Sequence, residues 1–200
     1  MITVIDYAGG NIKSILNILK RCNVDFQVSS KEKEIHSSDK LILPGVSNFS
    51  YCMKSLKDKK LDKVIKDFVN ENKPFLGICS GMQVLGTFSD EGKCEGLNLI
   101  EGHIKKFSVA KCKIVPHVGW NKIEIKQNIL TQNINNLKRF YFCHSYYFEP
   151  ASEKNIMLTT DYHIKFCSGI YKKNIFGIQF HPEKSLNDGI KLINNFVNIS

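Results

Sequence analysis

The sequence predicts an α/β fold: a mostly parallel central sheet flanked by helices, with an additional β-rich, partly antiparallel portion. Three observations predict it. Up to about residue 100, short apolar runs alternate with stretches whose apolar residues recur at helical spacing, which is the pattern of parallel βαβ units. After about residue 102 the helical spacing gives way to closely spaced strand-like runs. The stretches richest in reactive side chains, 77–83 and 181–185, both follow apolar runs, at the carboxyl ends of strands where open α/β sheets bind ligands.

Residues 2–5 form a short apolar strand. Asp6-Tyr7-Ala8-Gly9-Gly10-Asn11 then turns into a helix whose apolar residues Ile12, Ile15, Leu16 and Leu19 follow i, i+3, i+4, i+7. Its glycines match neither Gly-x-Gly-x-x-Gly nor a P-loop, so they serve the turn rather than a nucleotide. Residues 25–29 and 40–43 are the next strands, the second stopping at Pro44-Gly45-Val46-Ser47. Phe49, Cys52, Met53 and Leu56 mark one helix; Leu61, Val64, Ile65 and Phe68 mark another, which leads through Asn72-Lys73-Pro74 into the apolar strand before Cys79. Later strands are expected at 104–107, 113–118, 122–125, 139–145, 155–160, 164–171 and 175–180. A last helix should bury Leu186, Ile190, Ile193 and Val197 on one face, with Ser185 as its N-cap. No repeat or linker interrupts the chain, so residues 1–200 read as one domain.

Composition narrows the function classes. A hydrophobic share of 42% with 24% charged residues is that of a chain with a packed core. Its apolar runs are of strand length, too short to span a bilayer, and the start lacks a signal peptide's basic and cleavage regions, so a cytoplasmic protein without membrane contact is expected. Seven scattered cysteines, none in Cys-x-x-Cys spacing, exclude a disulfide framework and a zinc ribbon; no metal or cofactor is expected. The net charge of +9 is spread along the chain with no groove-reading motif, so nucleic acid is not an expected partner. The densest basic run, 54–63, interleaves acids and reads as the solvated side of a helix.

The chemistry centres on Gly77-Ile78-Cys79-Ser80-Gly81, the cysteine counterpart of the Gly-x-Ser-x-Gly elbow. A sharp strand-to-helix turn holds such a nucleophile in strained geometry that tolerates only small neighbours, here Gly77 and Gly81. The start of a helix also raises the thiolate fraction through its macrodipole. A buried structural cysteine at a tight turn is the competing reading. Downstream, an apolar strand runs into His181-Pro182-Glu183. A thiol nucleophile needs a base, and the base needs a carboxylate to fix its tautomer; His181 and Glu183 fit those roles, with Pro182 restricting their relative placement.

Elbow, His-Pro-Glu and their order resemble a class I (triad-type) glutamine amidotransferase. Asp6-Tyr7-x-x-Gly10-Asn11, Leu43-Pro44-Gly45-Val46, Gly77-Ile78-Cys79-x-Gly81-Met82-Gln83, Pro116-His117-x-Gly119-Trp120-Asn121, His144-Ser145-Tyr146-Tyr147 and Phe180-His181-Pro182-Glu183-Lys184-Ser185 carry the likeness across nearly the whole chain. They are closest to the members of that family that act as separate glutaminase subunits. The resemblance implies hydrolysis of glutamine and transfer of its ammonia to a (βα)8-barrel cyclase partner in a heterodimer, using a phosphoribosyl substrate in histidine biosynthesis. It implies Cys79 as nucleophile, His181 as acid and base, and Glu183 as its orienter. Oxyanion donors would be the N–H groups of Ser80 and, after a peptide flip, Val46. Gly45, Gln83, Ser145 and Tyr146 would hold the substrate, and Asn11, Trp120 and Lys184 would face the partner. The chain has Ser47 where the family usually has Gly; a non-Gly residue resists positive φ and so restricts the flip. Ala8, Ser80, Asn98 and Glu101 stand where Gly, Leu, Gly and Pro are expected.

Three rivals stay open on these residues. A paralogue could send its ammonia to a surface-polysaccharide sugar. A non-catalytic module could keep the fold and bind only a partner. A cysteine hydrolase or peptidase could use the same elbow, although Gln83 and the His144-Ser145-Tyr146 stretch suit free glutamine better.

Overall fold

The computed structural model describes residues 1–112, 114–126 and 128–199. Its first half is the expected βα alternation: β1 (Ile2–Ile5), α1 (Ile12–Arg21), β2 (Phe26–Ser29), α2 (Glu32–His36), β3 (Lys40–Gly45), α3 (Phe49–Asp58), α4 (Leu61–Asn70) and β4 (Phe75–Cys79), followed by the short α5 (Ser80–Gln83). The second half holds β5 (Phe88–Ser89), β6 (Cys94–Glu95), β7 (Gly102–Lys106), β8 (His117–Lys122), β9 (Glu124–Ile125), β10 (Arg139–His144), β11 (Tyr146–Pro150), β12 (Ile156–Asp161), β13 (Lys165–Lys172), β14 (Ile175–Ile178) and the closing α6 (Leu186–Val197).

The strand order β2-β1-β3-β4-β14-β13-β11-β7-β5-β6 joins the two halves in one sheet. The β2-β1-β3-β4-β14 part is parallel throughout. The β14–β13, β13–β11 and β11–β7 pairs are antiparallel, as expected for the later half. β8 and β10 form a separate antiparallel pair.

Residues alternate between the two faces of the parallel part, and each face has its own helices. Ile42, Leu76 and Ile78 pack with Ile15, Ile18 and Leu19 of α1 and Leu192, Ile193 and Phe196 of α6. Leu41, Leu43 and Phe75 pack with Ile35, Phe49, Leu56, Leu61, Ile65 and Phe68 from α2, α3 and α4. Because helices cover both faces, β1 and β4 are buried at every position, and each such aliphatic or aromatic side chain contributes about 1.5–3 kcal/mol by leaving water.

Several local expectations are corrected. The strand expected at 113–118 begins only at His117; 114–116 are bends, and Lys113 lies outside the described residues. Ser185 precedes α6 without capping it, since its hydroxyl donates to the His181 carbonyl at 2.6 Å and accepts from the Tyr141 N–H at 3.0 Å. The buried face of α6 is Gly189, Leu192, Ile193 and Phe196; Leu186 faces solvent, and Ile190 and Val197 are half-buried. α2, β5, β6 and β11 were not expected at all. Among the described residues no helix is long and apolar enough to cross a membrane.

Candidate active site

β4 and β14 are adjacent and parallel, so their carboxyl ends lie side by side, and Cys79 and the His181 that follows β14 open at the same edge of the sheet. Cys79 has φ 55° and ψ −114°, a conformation that L residues rarely adopt and that costs on the order of 1–3 kcal/mol. The turn closes because the neighbouring positions lack Cβ atoms. A Cβ on Gly77 would run into the Gly81 carbonyl, and one on Gly81 would meet the Leu43 carbonyl. Gly45, beside Cys79 across the β3–β4 register, is needed in the same way: a Cβ there would strike the Ser80 hydroxyl. The helix expected to project its dipole at the sulfur is a single turn, Ser80–Gln83, so any dipole effect is confined to its first N–H groups.

Cys79 and His181 line a cavity of about 400 Å³ together with Val46, Ser80, Gln83, Ser145, Tyr146 and Lys184. Gly45, Asn11, Trp120 and Glu183 do not line it. Glu183 lies behind His181, with Oε1 2.8 Å from Nδ1; both side chains are almost wholly buried. Burial alone would lower the His181 pKa, but the Cys79 sulfur and the Glu183 carboxylate outweigh it and push it up to about 10. An imidazole so placed can hold a proton beside a sulfur anion and later give that proton to a leaving group.

The remaining expected residues divide by position. Val46 is 57% exposed at the cavity mouth, yet its N–H is bonded to the Gly9 carbonyl at 3.0 Å. Gln83 donates to the Tyr146 carbonyl at 2.9 Å. Asn11 stands at the start of α1, after the carboxyl end of β1 and thus on the Cys79 side of the sheet. Trp120 is on β8, 44% exposed, and its ring meets that of Tyr141 edge-on at 6.2 Å. The Lys184 ammonium sits 5.2 Å above the same Tyr141 ring, so Trp120 and Lys184 share one surface through a residue that sequence reasoning missed.

Other missed residues are polar groups brought in by packing. Glu91 lines the cavity while one of its carboxylate oxygens accepts from the Phe49 N–H at the start of α3, 2.8 Å away. Gln179 is fully buried, and its Nε2 lies 3.7 Å from the Cys79 sulfur. His117 and His144 are buried together at 3.1 Å, and desolvation lowers their pKa values to about 4 and about 3. A lone amide within the apolar run 175–180 is the signal that could have exposed Gln179; Glu91 carries no comparable motif. Among the described residues no three His, Cys, Asp or Glu side chains are grouped to hold a metal ion.

A family model described as glutamine amidotransferase class-I matches residues 3–199. A Methanococcus maripaludis protein named imidazole glycerol phosphate synthase subunit HisH 2 is 42% identical, covering 98% of this chain and 98% of its own. A Pseudomonas aeruginosa protein of the same name is also 42% identical, covering 100% of both chains. Among solved structures, one described as a glutamine amidotransferase superposes with a TM-score of 0.78 at 15% identity, covering 98% of this chain and 96% of its own. PurLQS from Thermotoga maritima gives 0.75 at 20% identity, covering 98% and 97%. At such identities these two likenesses bear on the fold alone.

Proposed function

The chain belongs to the class I glutamine amidotransferases, and on that footing we propose that it is the glutaminase subunit of an imidazole glycerol phosphate synthase. It hydrolyses the side-chain amide of glutamine and passes the ammonia to a separate (βα)8-barrel cyclase in histidine biosynthesis. The observation that carries this reading is the strained Cys79 sharing a cavity with an imidazole whose far nitrogen is held by a buried carboxylate. The relatives matched over nearly their whole length, named as subunits of imidazole glycerol phosphate synthase, support the choice of complex.

In the reaction the Cys79 sulfur attacks the amide carbon of glutamine. The Ser80 N–H receives the developing oxyanion, and Val46 adds a second donor once its N–H turns from Gly9; one such donor contributes ~3–4 kcal/mol. His181 protonates the leaving nitrogen, the C–N bond breaks and a thioester remains. His181 then takes a proton from water, the resulting hydroxide attacks the thioester carbon, the C–S bond breaks, and glutamate leaves with the sulfur returned to Cys79. Glu183 keeps the imidazole oriented throughout. Gln83, Ser145 and Tyr146 hold the amino-acid end of the substrate, and the Glu91 carboxylate suits its ammonium. Gly45 lets the elbow close. Asn11, Trp120 and Lys184 face the barrel, on the edge where Cys79 opens, so that ammonia is not lost to water. The domain acts as one unit over residues 1–200 in the cytoplasm, with neither metal nor cofactor.

The test is glutamate release from glutamine by the full chain, alone and with a barrel cyclase. Turnover should need Cys79 and rise with the partner, and an electrophilic glutamine analogue should label Cys79 among the seven cysteines. Turnover that persists in Cys79→Ser would overturn the reading.

A further inference from the structure

The polar groups behind the cavity form one hydrogen-bonded chain with a single possible arrangement of protons. The Tyr146 carbonyl can only accept. His144 Nδ1, 2.7 Å from it, must therefore carry a proton. The neutral His144 ring then accepts at Nε2 from His117 Nδ1 at 3.1 Å, and His117 Nε2 in turn accepts from Asn121 on β8 at 3.3 Å. On its other side the same carbonyl fixes Gln83, whose Nε2 lies 2.9 Å away. The second hydrogen of that nitrogen points to Oε1 of Gln179 at 3.0 Å. With its oxygen committed to Gln83, Gln179 must turn its Nε2 toward Cys79, whose sulfur lies at 3.7 Å.

We propose that Gln179 is a further functional residue of this site: its buried side chain, held in one orientation by Gln83, donates a hydrogen bond to the Cys79 sulfur, favouring the anion and fixing its direction. The proposal rests on the reading of Cys79 as nucleophile. A fully buried donor beside a sulfur anion strengthens as charge accumulates and needs no reorganisation when the substrate arrives. His181 lines the cavity with the same sulfur and handles protons, whereas Gln179 has none to transfer in this range. The chain also ties the sulfur to β8, the strand that carries Trp120.

The test follows alkylation of each cysteine in the full chain by iodoacetamide across an acid-to-neutral pH series, read by mass spectrometry. Gln179→Met keeps the volume and removes the donor; Gln179→Glu keeps the shape and the acceptor facing Gln83 but replaces the donor with negative charge. Cys143, exposed at the same cavity, is the internal reference. On the acid limb Cys79 should react about tenfold more slowly in Gln179→Met, which loses a hydrogen bond to a charged group, and more slowly still in Gln179→Glu, while Cys143 is unchanged. An unchanged Cys79 profile in either folded variant overturns the proposal, as does an equal slowing of Cys143. Because the readout is thiol reactivity, a chain that behaves as expected here yet releases no glutamate would sink the glutaminase reading and leave this one standing.

Discussion

Val46 gives its backbone N–H to the carbonyl of Gly9, 3.0 Å away, although its side chain lines the cavity that holds Cys79. The Ser47 hydroxyl donates to the same oxygen at 3.1 Å. Two donors on one carbonyl hold the 44–47 segment with the proposed oxyanion donor turned away from the sulfur.

Removing one of them should release the segment. A single hydrogen bond contributes about 0.5–1.5 kcal/mol net, so Ser47→Ala is expected to raise glutamate release by the isolated chain by up to about tenfold. Ser47→Gly should raise it further, because it also lifts the resistance to positive φ. Steady-state rates without the partner check this; rates at or below that of the parent chain would show that Ser47 does not restrain the segment.

The elbow should invert a familiar order of stability. Glycine normally destabilises relative to alanine, but at φ 55° the strain falls on alanine. Cys79→Gly is expected to be more stable than Cys79→Ala by about 1 kcal/mol, read as denaturant midpoints, with both variants inactive. Alanine at least as stable as glycine would mean that the backbone there is unstrained.

Stability should decline on both sides of neutrality. His117 and His144 have native pKa values of about 4 and about 3 against an ordinary 6.5, so below pH 6.5 the unfolded chain binds protons that the folded chain refuses. Their neutral burial is therefore fully tolerated above 6.5, and stability is lost as pH falls from 6.5 toward 4 and 3, by an amount on the order of a few kcal/mol. His181 acts in the opposite sense: its native pKa of about 10 stabilises the fold below 6.5, and that contribution is lost as pH rises through 10. Denaturant unfolding at a series of pH values should show a dome, and replacing His117 and His144 together by Phe and Gln should flatten its acid side.

Trp120 and Lys184 flank Tyr141, so their effects on partner binding should be coupled. Trp120→Ala is expected to weaken binding to the barrel by about 2 kcal/mol or more, as buried interface tryptophans do. Lys184→Ala should weaken it less. The double variant should fall short of the sum, because both lose support from one ring. Titration calorimetry measures all three; unchanged affinity in both single variants would place the docking face elsewhere.

The parallel half of the fold was legible because strands buried on both faces read as unbroken apolar runs and their helices keep regular spacing. β11 was not, since Tyr146-Tyr147-Phe148-Glu149-Pro150 neither alternates nor ends like a strand. β5 and β6, two residues each, are too short to show a period. The α6 register was misread because Leu186 and Ile190 lengthen an apolar stripe beyond what the core covers. Within the site, Cys79 and His181 announce themselves at strand ends. Gln179 shows only as a lone amide in an apolar run, and Glu91 gains meaning only where distant segments meet. Ala8 at φ 69° and Asn98 at φ 55° occupy left-handed conformations where the family pattern has glycine, so those departures change the residue while keeping the turn.

β14 stands between β4 and β13, although residues 175–178 come after both of those strands in the chain. Until they arrive, β4 is the open edge of a four-stranded parallel sheet, apolar along its whole length and with unpaired N–H and C=O groups. A chain stalled or shortened before β14 therefore keeps this edge open and should be prone to aggregation and to capture by chaperones. The same insertion brings His181 to Cys79, so a chain stopped before β14 holds the thiol without its base and releases no ammonia.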